Sequence, residues 1–303
     1  MNASPLEVEV RPPWPYRLPR RGSGDGTMRA RDGVITRLLH VDDEPIVVHA
    51  WQVRSGAVRL RAAGDASVDE LEAAIGRMRF ALGVDDDLAE FFAEFKRDPV
   101  IGPPMRRRPW LRPRRRPWPW EALAWAITEQ LIEASRAARI QRRIVRRWGR
   151  RVELSGERRA TWLRDAPAAA TMAGRAPAEL AGMDLSNARS IAMIRCAREV
   201  AAGRVDPGVG AGDRRLLAIP EIGPWTLQCL GLMGRGEPDS LPAGDLAYVK
   251  LVGRLAGLGR RATVPEVEEF FAPYAPFRGL AGIFAISHYH GAVQAGPPLR
   301  LAA

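Results

Sequence analysis

Residues 216–229 read LLAIPEIGPWTLQC, and this short run decides the fold. Arg214, Arg215, Leu216 and Leu217 make the last turn of one helix, and Ile219, Pro220, Glu221, Ile222 and Gly223 make a tight connection. Pro224 then takes the first position of a second helix, where a missing N–H costs nothing. Such a corner aims the free N–H groups of a helix start outward, and Gly223 allows close backbone approach, so it suits an anion such as phosphate. A bend between two packed helices serves pure structure equally well, and spacing alone leaves both roles open.

Downstream, residues 241–250 read LPAGDLAYVK, where Asp245 follows Gly244 and precedes an apolar run, the pattern of an N-cap. Upstream, residues 120–138 read WEALAWAITEQLIEASRAA. From Glu121 to Trp148 there is no proline or glycine, and apolar residues recur at helical spacing through Leu123, Ile127, Leu131, Ala138 and Ile144. This predicts helix throughout, with Leu131 on the apolar stripe. Shorter helices are expected around 158–164 and 177–182, and a longer one from Ser186 through Ile191, Ile194 and Val200 to Gly203. The same rhythm runs to His290 with no strand signal.

Together these segments resemble the helix-hairpin-helix DNA glycosylases, whose hairpin reads leucine, two residues, hydrophobic-Pro-Gly-hydrophobic-Gly. Residues 185–203 (LSNARSIAMIRCAREVAAG) resemble the family's helix before the hairpin, and residues 275–291 (APFRGLAGIFAISHYHG) its closing helix. With the N-terminal strand region, the layout over nearly the whole chain is that of the bacterial alkylpurine branch, the DNA-3-methyladenine glycosylase II type. The resemblance implies a mainly α protein with an N-terminal α+β domain over 1–100 and a helical domain over 101–303. In that domain two lobes would flank a DNA-binding cleft, with the hairpin at about 212–234. The function it implies is hydrolysis of the N-glycosidic bond of damaged, alkylated purines in double-stranded DNA after the nucleotide is flipped out.

The same resemblance assigns residues. Asp245 would stabilise the oxocarbenium-like sugar, a role compatible with capping because a helix start holds a carboxylate ionised and aimed. Gln130 and Leu131 would enter the duplex, Leu131 as a wedge. The N–H groups of Gly223 and Thr226 would face a phosphate, with Glu221 adding a negative charge beside it. Trp225, Trp125, Cys229 and Ile286 would line the base pocket. The carbonyls of Leu217, Ile219 and Ile222 would hold a structural monovalent cation, Na⁺ or K⁺, and no cofactor is required. Members that also cut the strand carry a lysine where this chain has Trp225, so no lyase activity is expected. Trp225 is also suited to stacking on a positively charged base. Glu221 replaces the hairpin's first glycine, and Cys229 and Ile286 replace aromatic pocket residues.

Away from these motifs, residues 31–63 alternate as a small antiparallel meander, followed by Ser67-Val68-Asp69-Glu70, a capping box opening a helix with Leu71, Ile75, Met78 and Leu82 on one face. Prolines break up residues 98–120, where arginines crowd positions 106–116 among Trp110, Trp118 and Trp120. An irregular crossover is expected there, its arginines either gripping phosphates or forming a solvated arm. Forty-six Lys and Arg against 35 Asp and Glu give a net charge of +11, which favours a polyanionic partner. Two cysteines, Cys196 and Cys229, exclude a four-thiolate cluster and fit a reducing cytoplasm. His288 and His290, two apart in a helix, would point to different faces. No run approaches a membrane span, so a cytoplasmic, nucleoid-associated monomer acting on damaged duplex DNA is expected. Two other functions stay open, a glycosylase for oxidised or deaminated bases and a non-catalytic binder of damaged DNA.

Overall fold

The computed structural model describes residues 4–154 and 161–294, which gather around three hydrophobic cores. The first is an antiparallel sheet of β1 (Leu6–Val10), β2 (Met28–Arg31), β3 (Val34–Val41), β4 (Glu44–Gln52) and β5 (Val58–Ala63) in the order β1-β5-β4-β3-β2. The expected meander is its centre, and it gains an edge strand on each side. Leu6–Val10 alternates LEVEV and pairs Val8 with Leu60, while Ala30 pairs with Ile35. Helix α1 (Val68–Leu82) covers one face with Leu71, Ala74, Ile75, Met78 and Leu82. Its start is fixed by the capping box, in which the Ser67 N–H donates to Glu70 Oε2 at 2.7 Å.

The second core belongs to a helical lobe of α4 (Pro119–Glu129), α5 (Ala134–Trp148), α6 (Ala169–Ala173), α7 (Pro177–Ala181), α8 (Asn187–Ala201), α9 (Asp213–Leu217) and α10 (Pro224–Leu230). Two expectations fail in this lobe. Residues 121–148 are not one helix, because the chain breaks between Glu129 and Ala134 with Leu131 at φ 55°. The cause is tertiary: Arg189 on α8 donates to the Gln130 carbonyl at 2.7 Å and so closes the end of α4. Second, strands are present, since β6 (Arg151–Leu154) and β7 (Thr161–Arg164) pair where helix was expected at 158–164. Residues 158–160 of that expectation lie outside the described residues.

The third core joins distant parts of the chain. Helices α2 (Ala89–Phe95) and α3 (Gly102–Arg107) pack with α11 (Leu246–Leu255), α12 (Val264–Phe271) and α13 (Arg278–Gln294). Phe91 meets Phe284 with ring centroids 5.6 Å apart. The packing therefore places residues 89–105 with the last helices of the chain, not with the sheet that precedes them. α13 confirms helix at residues 288–290, although the side chains of His288 and His290 lie outside the described residues.

In the arginine-rich crossover Arg112, Arg115 and Arg116 turn inward, while Arg106, Arg107 and Arg114 are exposed. Arg115 bonds Asp86 with both guanidinium ends, at 2.8 and 2.7 Å, and Arg112 lies buried, donating to the carbonyls of Pro15 and Asp86. Arg116 meets Asp25 at 2.8 Å. Next to it the buried pair Arg37 and Glu121, at 2.6 Å, ties β3 to α4. Burial opposes the charge on Asp25, but Arg116 and Arg37 outweigh it and hold the carboxyl down at about 2. The crossover is thus a strap that locks the sheet to both lobes through interior ion pairs.

Candidate active site and nucleic-acid interface

The hairpin sits at the α9–α10 corner, and its shape is held from α4. Gln130, buried at the end of α4, donates through Nε2 to the Glu221 carbonyl at 2.7 Å and to Thr226 Oγ1 at 2.9 Å. Both amide donors of Gln130, a residue expected to enter DNA, are thus spent on the corner. Thr226 is also buried, and its N–H already bonds the Gly223 carbonyl at 3.1 Å, so it has no backbone donor to offer a phosphate. Glu221 adopts φ 73°, the left-handed turn conformation that glycine takes without penalty and that costs another residue about 1–2 kcal/mol. Its side chain is exposed, whereas Gly223 lies in extended backbone.

One residue after Gln130 the chain reverses at Leu131. This side chain is 100% exposed, although its place in the sequence suggested the apolar stripe. An exposed leucine in left-handed backbone beside the hairpin clamp is held away from the core by the turn itself. The following helix, α5, turns Ala137, Ile140, Ile144 and Val145 inward. Its outward face carries Arg136, Arg139, Arg142, Arg143, Arg146 and Arg147. Leu131 therefore stands at the end of an arginine-covered helix.

Asp245 is the N-cap of α11, its Oδ1 accepting the Ala247 N–H at 2.7 Å. The half-buried indole of Trp225 lies alongside, its Cδ1 3.8 Å from where a Cβ on Gly244 would stand. Trp225 and Cys229 fall one helical turn apart on α10 and so share a face. Cys229 has both Glu129 and Asp245 near it, and burial together with these two carboxylates pushes its thiol well up, which leaves it no thiolate nucleophile. Hairpin helix, Asp245 and the end of α4 thus converge on one place.

Two further predicted pocket residues pack with the cores. Trp125 is buried in the second core with its Nε1 donating to Asp25 Oδ2 at 2.9 Å, so it supports the strap and does not offer a stacking face. Ile286 packs half-buried against the third core. At the hairpin, the Ile219 carbonyl accepts the Ile222 N–H, while those of Leu217 and Ile222 take no backbone N–H among the described residues. A separate cavity of about 530 Å³ between sheet and helices, walled by His40, Arg77, Trp118, Arg150 and Asp165, contains none of the predicted site residues.

No family profile matches the chain. Over 207 residues it is 25% identical to the DNA-3-methyladenine glycosylase of Bacillus subtilis (strain 168), covering 66% of this chain and 67% of that one. Among solved structures, the 3-methyladenine DNA glycosylase from Archaeoglobus fulgidus superposes with a TM-score of 0.77 at 20% identity, over 95% of this chain and 98% of that chain. The apo 8-oxoguanine glycosylase/lyase of Clostridium acetobutylicum gives 0.70 at 14% identity, over 94% and 97%. The chain shares the fold of these DNA glycosylases. Within this glycosylase fold the hairpin is recognisable despite Glu221, because Gln130 secures the left-handed turn from outside.

One residue of this candidate site escaped sequence analysis. Glu129 ends α4 half-buried, bonded by Gln141 Nε2 at 2.9 Å. Burial raises its carboxyl above the ordinary glutamate range, Arg116 and the Gln141 bond oppose the rise, and Asp25 and Asp245 add to it. The available signal was a charge on a helix otherwise apolar apart from Glu121 and Thr128.

Proposed function

We propose that the protein is a monofunctional DNA glycosylase that hydrolyses the N-glycosidic bond of alkylated purines in duplex DNA after flipping the nucleotide. The observation that carries this reading is the convergence of the hairpin helix and the Asp245 cap, with Trp225 against Gly244 between them. An extruded nucleotide whose backbone rests on the corner would bring its C1′ towards Asp245. As the base departs, positive charge grows on the sugar, and a fixed carboxylate stabilises it more than it stabilises the ground state. Water then adds to C1′. Leu131, exposed beside the clamp, would fill the gap left in the stack, an apolar wedge whose insertion offsets part of the unstacking.

The preference for alkylated bases rests on the Bacillus subtilis relative and on Trp225, whose indole face would attract a cationic ring. With Trp225 where strand-cutting members have lysine, no Schiff base forms and the product is an intact abasic strand. The carbonyls of Leu217, Ile219 and Ile222 would hold Na⁺ or K⁺ as a structural brace. No helix among the described residues is long and apolar enough to cross a membrane. We place the enzyme as a monomer on DNA in the cytoplasm.

The test is base release from methylated duplex by the protein and by Asp245→Asn. The wild type should free 7-methylguanine and 3-methyladenine, and the variant should lose at least about 100-fold in release while keeping duplex affinity. Borohydride should trap no covalent adduct. A wild type that binds methylated duplex and frees no base would replace the enzyme reading with that of a damage-binding protein.

A further inference from the structure

Residues 121–148 carry helical spacing without proline or glycine, with Leu131 on the apolar stripe, yet α4 stops at Glu129 and the chain restarts as α5 at Ala134. A leucine that local preference would bury stands fully exposed at φ 55°. The turn opposes both backbone preference and the hydrophobic effect, so other contacts must hold it. Two side chains do. Arg189, in the first turn of α8, donates through Nη1 to the Gln130 carbonyl at 2.7 Å and to the Thr128 carbonyl at 3.4 Å. In a continuous helix those carbonyls would accept the N–H groups of Ala134 and Ile132. Arg189 is itself pinned, its Nε donating at 2.9 Å to Oγ of Ser186, the N-cap of α8. From the same turn, the Gln130 side chain reaches the hairpin at the Glu221 carbonyl, 2.7 Å away, and Thr226 Oγ1, 2.9 Å away.

We propose that Arg189 is a positioning residue that sets Leu131 as the wedge, and that Gln130 ties this wedge to the hairpin, so that one rigid unit both grips the strand and opens it. This rests on the glycosylase reading and deepens it. The main chain of Gln130 takes the Arg189 bond, its side chain makes the hairpin bonds, and the next residue is the exposed leucine. Without Arg189 the two carbonyls are open to the N–H groups of Ile132 and Ala134, α4 grows towards α5, and Leu131 swings to the apolar face that its spacing fits. The wedge is then withdrawn, while Asp245 keeps its cap on α11.

Such a residue matters for one kind of substrate and far less for another. A paired lesion has to be pulled from the stack, and a wedge that fills the gap offsets part of that unstacking. A lesion that is already unpaired needs no such help. Arginine suits the position because its planar fork spans the Ser186 hydroxyl on one edge and two carbonyls on the other, whereas a lysine ammonium donates from a single point.

The experiment measures single-turnover release of 7-methylguanine from two substrates of one sequence, a fully paired duplex and the same duplex with the lesion in a small unpaired bubble. The readout is the ratio of the paired rate to the unpaired rate, in which a general loss of folded enzyme cancels. Arg189→Met should lower that ratio about 10-fold, and Leu131→Ala by a similar factor. Arg189→Lys should lower it by a smaller factor, and it carries the test alone if Arg189→Met does not fold. Gln130→Met, which cuts the hairpin link and keeps the carbonyl, should lower the ratio as well. The double variant of Arg189→Met and Leu131→Ala should fall no further than Leu131→Ala, because the arginine acts through the leucine. A wild-type ratio in Arg189→Met, Gln130→Met or Leu131→Ala, or losses that multiply in the double variant, would each overturn the proposal. A wild type that frees no base from either substrate would bring down the glycosylase reading itself, and this proposal with it.

Discussion

The strap at residues 106–116 and helix α5 are both dense in arginine, and they use it in opposite ways. In the strap beyond α3, Pro109, Pro113 and Pro117 prevent a helix, and nothing sorts the side chains onto one face, so Arg112, Arg115 and Arg116 turn inward to Asp86, Asp25 and backbone carbonyls. In α5 helical spacing sorts them. Apolar residues every three or four positions bury one face and leave six arginines outside. Only part of that face is engaged: Arg136 pairs with Asp184 at 2.6 Å, and Arg142 and Arg143 reach the carbonyls of Gly24 and Met183. Arg139, Arg146 and Arg147 make no side-chain bond among the described residues. Local charge density thus says little about partners. Backbone periodicity decides whether a cation stays available to a polyanion.

The largest effect that would break this contrast lies in the strap. Arg116→Met leaves Asp25 buried without its main counter-charge, and urea titration should show a loss of about 3 to 5 kcal/mol. The same pair sets an acid limit. The Asp25 carboxyl is depressed to about 2, so its stabilisation is complete above the ordinary aspartate range and drains away as pH falls through about 2. If Arg116→Met binds DNA less well but melts like the wild type, the strap is a DNA grip after all.

A middle-sized effect concerns α5. Alanine at Arg139, Arg146 and Arg147 together should leave the melting curve in place and weaken duplex binding, with the salt slope of log K shallower by about 1 for each phosphate that is no longer neutralised. An unchanged slope would remove α5 from the interface. The smallest effect sits at the joint between the two regions. Leu131→Gly relieves the left-handed backbone and should raise stability by up to about 1 kcal/mol while lowering base release, since the wedge is gone. A leucine side chain that matters to folding would reverse the first sign.

Legibility followed the range of the interactions responsible. The central strands and α1 were readable because alternation, a capping box and helical spacing are local, whereas Leu6–Val10 alternates in the same way and was missed. The break after Glu129 was not, since it depends on Arg189 and on a hairpin some ninety residues away, reached by Gln130. The same distance hid the fate of Gln130, Thr226 and Trp125, whose polar groups are claimed by partners that no local pattern names. Strands β6 and β7, four residues each, are too short for alternation to register. Asp245 was singled out by resemblance, and the cap read from its position is present. Glu129 had neither advantage, and only its isolation on an apolar helix marked it.

The third core has a consequence for how the chain matures. Phe91, Phe92 and Phe95 emerge early in synthesis, yet the ring partners of Phe91 and Phe92 include Phe284, near the C-terminus. Trp14 can meet Phe92 early, but until Phe284 has been made that aromatic cluster lacks the rest of its native cover. The sheet and the middle helical lobe are free to settle first, and closing the loop between the first and last segments comes last. A protein stalled or cut short within α12 would then keep two of its cores and expose the phenylalanines of α2 to chaperones and proteases.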